Sequence, residues 1–207
     1  MSVPLPIDDI IQNGITFNLF RDLPMQDIRG TVRALFAALH TAQVDYLLVG
    51  GVALLSYVEG RNTQDVDLIV DPRQIPRIPW QVKIQDQDFG TANYRGLRVD
   101  LLLTTNRLFA YVRRRERTAV LFEGLEVPCA TREGLLLLKL YALPSLYRQG
   151  HLARAALYET DVLMLLQGTT IDEERLLTVL RRHLAPHDID ELRRIVRELR
   201  ERKRLFS

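Results

Sequence analysis

Asp65 and Asp67 are separated by a single residue in the run Asp65-Val66-Asp67-Leu68-Ile69-Val70. In an extended strand, residues two apart leave the same face, so both carboxylates would point one way. Like charges held that close repel, which raises their pKa values unless a cation lies between them. A third acid, Asp100, sits in Arg98-Val99-Asp100-Leu101-Leu102-Leu103, where an ionised side chain is costly without a partner. Taken singly, each acid could be a solvated strand end or a sheet-edge residue; together they suggest a shared divalent cation. An all-oxygen ligand set suits Mg²⁺ or Mn²⁺ rather than zinc. His40, His151, His183 and His187 are scattered and Cys129 is the only cysteine, so no Cys/His cluster competes. Asp65, Asp67 and Asp100 are therefore the expected metal ligands.

Upstream of these acids, Tyr46-Leu47-Leu48-Val49 runs into Gly50-Gly51. A buried strand, a glycine turn and a following helix form an arrangement in which backbone N–H groups can approach a phosphate closely. A glycine pair is weak evidence alone; its position ahead of the Asp-x-Asp strand strengthens it. Lys139 lies inside Leu135-Leu136-Leu137-Leu138-Lys139-Leu140, and there its ammonium must either snorkel to solvent or meet an anion. Asp161 reads as a functional acid, as a cap, or as an ion-pair partner of Arg148 or Arg154. Tyr94 and Trp80 could stack on a base or be partly buried aromatics.

The elements that must position these residues follow from periodicity. Ile28, Val32, Leu35, Phe36 and Leu39 mark an amphipathic helix from residue 27 to about 42. Strands are expected at 46–49, 66–70, 81–85 and 97–104, with a short helix over 52–57 and turn residues filling 88–96. The stretch 71–80 is proline-rich and irregular. A basic helix over 107–117 precedes a strand pair around Glu123-Gly124. Beyond Thr131 strand signals cease, and helices are expected at 135–143, 153–167, 172–184 and 189–205. The fold class is thus α+β, a mixed sheet flanked by helices and followed by a helical subdomain. The expected divisions are an N-terminal arm over 1–26, a core over 27–130 and a helical part over 131–207.

Composition agrees with one globular unit carrying an extension. The chain has 207 residues, 47% hydrophobic and 26% charged, and no stretch approaches the roughly 20 apolar residues of a membrane span. The opening residues lack a basic-then-apolar pattern, so no signal peptide is expected. A lone cysteine fits a reducing cytoplasm. The net charge of +2 does not announce a nucleic-acid binder, although the runs Arg113–Arg117 and Arg193–Arg204 read either as solvated helix faces or as a phosphate-contact surface.

The pattern Val49-Gly50-Gly51, then Asp65-Val66-Asp67-Leu68, then Val99-Asp100-Leu101 resembles that of the DNA polymerase β-like nucleotidyltransferases. The resemblance implies that the glycine turn holds a nucleoside triphosphate. It also implies that the three acids bind two Mg²⁺ ions, and that a nucleoside monophosphate passes to a hydroxyl while pyrophosphate leaves. The phrase Gly60 to Asp67, with Lys139 and Asp161 on consecutive helices, is similar to abortive-infection type nucleotidyltransferases, toxins of bacterial toxin-antitoxin pairs. That narrower resemblance implies that Lys139 contacts the triphosphate, that Asp161 completes the site, and that Arg61 faces a phosphate; Thr63 reads as a turn residue. Gly51 stands where relatives often carry serine. The broader resemblance implies a transferase of the 2.7.7 class; the toxin resemblance adds a tRNA 3′ end or a protein as acceptor and an antitoxin partner. Two rivals stand beside it. One is a catalytically idle binding protein of the same fold; the other is a small-molecule, antibiotic-modifying adenylyltransferase.

Overall fold

The computed structural model describes residues 28–58, 63, 65–167 and 170–205. The expected arm over 1–26 and Arg61 lie outside the described residues. The chain divides into two compact units, Met1–Thr131 and Arg132–Ser207.

In the first unit, helix α1 (Ile28–Thr41) leads to β1 (Tyr46–Val49), the short α2 (Gly50–Leu54) and β2 (Val66–Val70). A 3₁₀ turn over Pro72–Arg77 follows, then β3 (Val82–Ile84), β4 (Phe89–Tyr94), β5 (Leu97–Leu103), α3 (Arg107–Arg115), β6 (Arg117–Phe122) and β7 (Leu125–Ala130). The strands form one seven-stranded sheet in the order β3-β4-β5-β2-β1-β7-β6. β1 and β2 are antiparallel, β5 joins β2 in parallel, and β7 joins β1 in parallel. The outer pairs β3–β4, β4–β5 and β6–β7 are antiparallel, which makes the sheet mixed.

Local sequence explains most of this. Val32, Leu35, Phe36 and Leu39 of α1 are all buried at helical spacing, and Phe36 stacks on Tyr46 and meets the edge of Phe122. Along β5, Leu97, Val99, Leu101 and Leu103 are buried while Arg98, Asp100 and Leu102 take the opposite face. β1 is buried throughout, as suits a strand with neighbours on both sides. Asn106 caps α3, its side chain accepting from the backbone N–H groups of Leu108 and Phe109.

The region over 88–96 corrects the sequence reading. It is not a turn but a full strand, β4, paired with β5 from Phe89 opposite Leu102 to Tyr94 opposite Leu97. Phe89, Thr91 and Tyr94 favour a strand while Gly90, Ala92 and Asn93 do not; six consecutive cross-strand pairs with β5 decide the matter. The turn is confined to Arg95-Gly96, both at positive φ, the geometry that matches strand twist in a two-residue hairpin. The proline-rich segment 71–80 also holds more structure than expected. Asp71 starts its 3₁₀ turn, accepting from the backbone N–H of Arg73 at 2.9 Å, and Arg73 holds the Asp71 carboxyl well below the usual range.

The second unit is helical: α4 (Arg132–Arg148), α5 (Leu152–Leu165), α6 (Glu173–Leu180) and α7 (Pro186–Leu205). α4 runs through Pro144, five residues beyond where Leu143 was expected to end it, and Pro186 opens α7, where its missing N–H costs no helical bond. Three residues of the basic run on α7 are matched within the unit: Arg193 pairs with Glu174, Arg194 with Glu198, and Arg200 with Glu173. In the first unit, Arg113 and Arg117 both pair with Asp45. Much of the clustered positive charge is therefore answered locally. No helix among the described residues is long and apolar enough to cross a membrane.

Candidate active site

Asp67 and Asp100 are register partners on the adjacent parallel strands β2 and β5. In-register residues of neighbouring strands share a face, and strands lie about 4.8 Å apart, so the two carboxylates stand side by side. Continuing that register by one residue sets Asp65, just before β2, alongside Arg98. On the other flank, Asp67 is opposite Val49, the residue that leads into the glycine turn.

The glycines are shaped by these neighbours. Gly50 has φ +67°, and a Cβ there would lie 1.8 Å from Asp67 Oδ2 and 2.7 Å from Asp67 Cβ. Only a residue without a side chain lets the turn close over this carboxylate. A Cβ on Gly51 would lie 2.2 Å from Thr63 Oγ1. The Gly-Gly pair thus has a packing reason in addition to any role toward phosphate: it lets the turn lie against the residues of the acidic strand and its approach.

Two residues matter more here than the sequence suggested. Thr63 is buried, and its hydroxyl donates to the Asp65 backbone carbonyl at 3.2 Å and to Asp65 Oδ1 at 3.4 Å. It orients a candidate ligand rather than merely turning the chain. Its spacing of two from Asp65 was the available signal, since short hydroxyl side chains bond to groups two residues on. Arg98 was not singled out at all. Its Nε donates to Asp100 Oδ1 at 2.8 Å, and its pKa is raised first by that bond, then by the charges of Asp100, Asp65 and Asp67. The signal was Arg98-Val99-Asp100, which places the two side chains on one strand face.

The set therefore consists of three acids with one guanidinium among them. Among the described residues, no three His, Cys, Asp or Glu side chains are gathered tightly enough to hold a metal ion. One geometric cause is visible: Asp100 is turned to Arg98 and Asp65 to Thr63. The donor chemistry nevertheless fits a hard divalent cation, being all carboxylate oxygen on one face of two adjacent strands, and the closely packed Gly50 turn leaves Asp67 little room to move away.

Lys139 and Asp161 belong to the second unit, on α4 and α5. Lys139 Nζ lies 2.9 Å from Asp161 Oδ2, with side-chain exposures of 9% and 0%, and 3.9 Å from the centre of the Tyr158 ring. Of the two fates open to Lys139, it has met an anion, one supplied by the chain. The expected partners of Asp161 are corrected as well: Arg148 pairs with Asp188 instead, and Arg154 lies over the Tyr158 ring. Trp80 and Tyr94 pack on each other with ring centroids 4.7 Å apart, both partly buried.

No protein-family model and no curated protein matches this chain. Among solved structures it is similar to an antigenic nucleotidyltransferase-like protein from Paracoccidioides brasiliensis, 17% identical, with a TM-score of 0.50 over 82% of this chain and 93% of that one. It is also similar to ANT(2")-Ia in complex with adenylyl-2"-tobramycin, 14% identical, with a TM-score of 0.48 over 74% of this chain and 94% of that one. At such identities the likeness is one of fold, and the fold is nucleotidyltransferase-like.

Proposed function

We propose that the chain is a nucleotidyltransferase dependent on Mg²⁺ or Mn²⁺, moving a nucleoside monophosphate from a nucleoside triphosphate to a hydroxyl acceptor. The observation that carries this reading is the register of Asp67 beside Asp100, with Asp65 two residues away and the Gly50 turn packed against Asp67. Asp65, Asp67 and Asp100 would hold the cations, which when bound neutralise the acids and stabilise the attacking and leaving oxygens of an in-line displacement.

The residues of the chain supply the remainder. Thr63 fixes the Asp65 carboxylate, and the Gly50-Gly51 backbone, having no Cβ, can lie close to the triphosphate. The acceptor hydroxyl oxygen forms a bond to the α-phosphorus as the bond to the β-phosphate oxygen breaks. Its proton passes to one of the acids, and pyrophosphate departs with the electron pair. Arg98 must give up part of its hold on Asp100 for that carboxylate to turn inward. Within this reading, a toxin of a toxin-antitoxin pair, with a tRNA 3′ end or a protein as acceptor and an antitoxin as partner, rests on the phrase Gly60 to Asp67 and on Lys139 and Asp161.

One observation favours a second reading. Arg98 already gives Asp100 a counter-charge at 2.8 Å, which would suit a catalytically idle binding protein whose acids need no cation. Incubating the chain with each α-labelled triphosphate, Mg²⁺ and total cell extract separates the two. Transfer of label to RNA, protein or a small molecule, lost in Asp65→Ala plus Asp67→Ala, is expected. Absence of label in every fraction with all four triphosphates would leave the idle reading in possession.

A further inference from the structure

The outward face of β3, β4 and β5 carries a groove of about 520 Å³ lined by Gln81, Lys83, Gln85, Thr91, Asn93 and Arg98. Its volume lies within the range of small-molecule sites, roughly 300 to 1,000 Å³, and all but one of its lining residues carry polar side chains. It is also in line with the acids. Lys83 is opposite Thr91, Thr91 is opposite Asp100, and Asp100 is beside Asp67. Three strand spacings separate Asp67 from Lys83, roughly 14 Å, and the flexible stem of Lys83 can cover part of that gap.

The charge of the groove is one-sided. Lys83 and Arg98 are its charged residues and no acid is among those that line it. Arg98 bridges the two regions, since it lines the groove and pairs with Asp100. Gln81, Lys83 and Gln85 are exposed and Thr91 is partly exposed, so their donors and acceptors are open to solvent. Arg98 is shared with Asp100, so Lys83 is the groove's cation without an acid beside it among the lining residues. A phosphate would meet a lysine, an arginine and several neutral donors.

We propose that this groove seats the acceptor, and that the acceptor carries a phosphate near its attacking hydroxyl, as an RNA end or a sugar phosphate does. The assignment rests on the transferase reading above. The hydroxyl end lies over Asp67 and Asp100, and the phosphate lies toward Lys83. The hydroxyl oxygen becomes part of the new phosphodiester, its proton goes to a carboxylate, and pyrophosphate leaves.

The test uses the full chain, Lys83→Gln and Lys83→Glu. The probes are a fluorescein-labelled single-stranded octauridylate, ribose 5-phosphate, spermine, and a non-hydrolysable nucleoside triphosphate with Mg²⁺. Octauridylate or ribose 5-phosphate should bind the native chain more tightly than spermine. Binding should weaken about threefold in Lys83→Gln and at least tenfold in Lys83→Glu, with triphosphate affinity unchanged. Binding of the octauridylate alone assigns an RNA end; binding of both assigns the sugar-phosphate unit. The proposal is overturned if neither anion binds, if Lys83→Glu leaves anion binding unaltered while the thermal midpoint is native-like, or if spermine binds best. Lys83-dependent anion binding by a chain that binds no triphosphate would instead overturn the transferase reading, and the acceptor role with it.

Discussion

The side chain of Asp100 is 21% exposed and its partner Arg98 is 62% exposed, whereas Asp161 is fully buried against Lys139. Both are ion pairs of similar length, yet they stand in different dielectric surroundings. At the sheet face, three acids share one solvated guanidinium, and water can stabilise either an open or a closed pair, so the acids keep the freedom to accept another cation. On α4 and α5, one buried carboxylate meets one buried ammonium, and separating them would leave both charges stranded in apolar surroundings. The excess of negative charge at the sheet face is open to a further cation; the pair on α4 and α5 is matched within itself.

The strongest way to break this contrast is Asp65→Ala plus Asp67→Ala. Label transfer should fall about 10³-fold, roughly 4 kcal/mol of transition-state stabilisation, with the thermal midpoint hardly moved because these side chains are only partly buried. Activity surviving intact would remove the acids from the mechanism. Next comes Asp161→Ala, expected to destabilise by about 3–5 kcal/mol in urea unfolding because it strands the Lys139 ammonium. Replacing both partners, as Lys139→Met plus Asp161→Leu, should recover most of that loss; a double variant as unstable as the single one would show that the pair is not the cause.

Gly50→Ala tests the link between the turn and the acids. The left-handed φ costs about 1–2 kcal/mol for a residue with a side chain, and the new methyl would meet Asp67 as far back as its Cβ. Swinging the carboxylate aside cannot relieve that contact, so stability and transfer should fall together. A fully active Gly50→Ala would mean that the turn does not constrain Asp67. Arg98→Gln should have a smaller effect, tightening Mn²⁺ binding about two- to five-fold in a spin-resonance titration, the worth of one exposed pair. Weaker Mn²⁺ binding would instead make Arg98 a support for the acids.

The smallest effect at neutral pH concerns Cys129, buried and neutral, with its thiol pushed up by burial to about 12. The folded pKa lies above the unfolded one, so stability is fully present below about pH 8.5 and is lost as pH rises from there toward 12. Alkylation by iodoacetamide at pH 8 should be slow until the chain is unfolded; rapid reaction of the native chain would contradict the burial.

The amino-acid sequence by itself determined the strands that carry Asp67 and Asp100, with Asp65 at the edge of the first, and the change to an all-helical second half. Each depends on a local period, two for strands and 3.6 for helices, that a window of residues displays. Tertiary pairing decided the remainder. Asp67 stands beside Asp100 because β5 joins β2 in parallel register; β4 is a strand because β5 holds it; Arg98 and Thr63 matter because of the carboxylates beside them. Lys139 found its partner on the following helix rather than in solvent, because side-chain pairing across helices is set by how they pack, which no local period records.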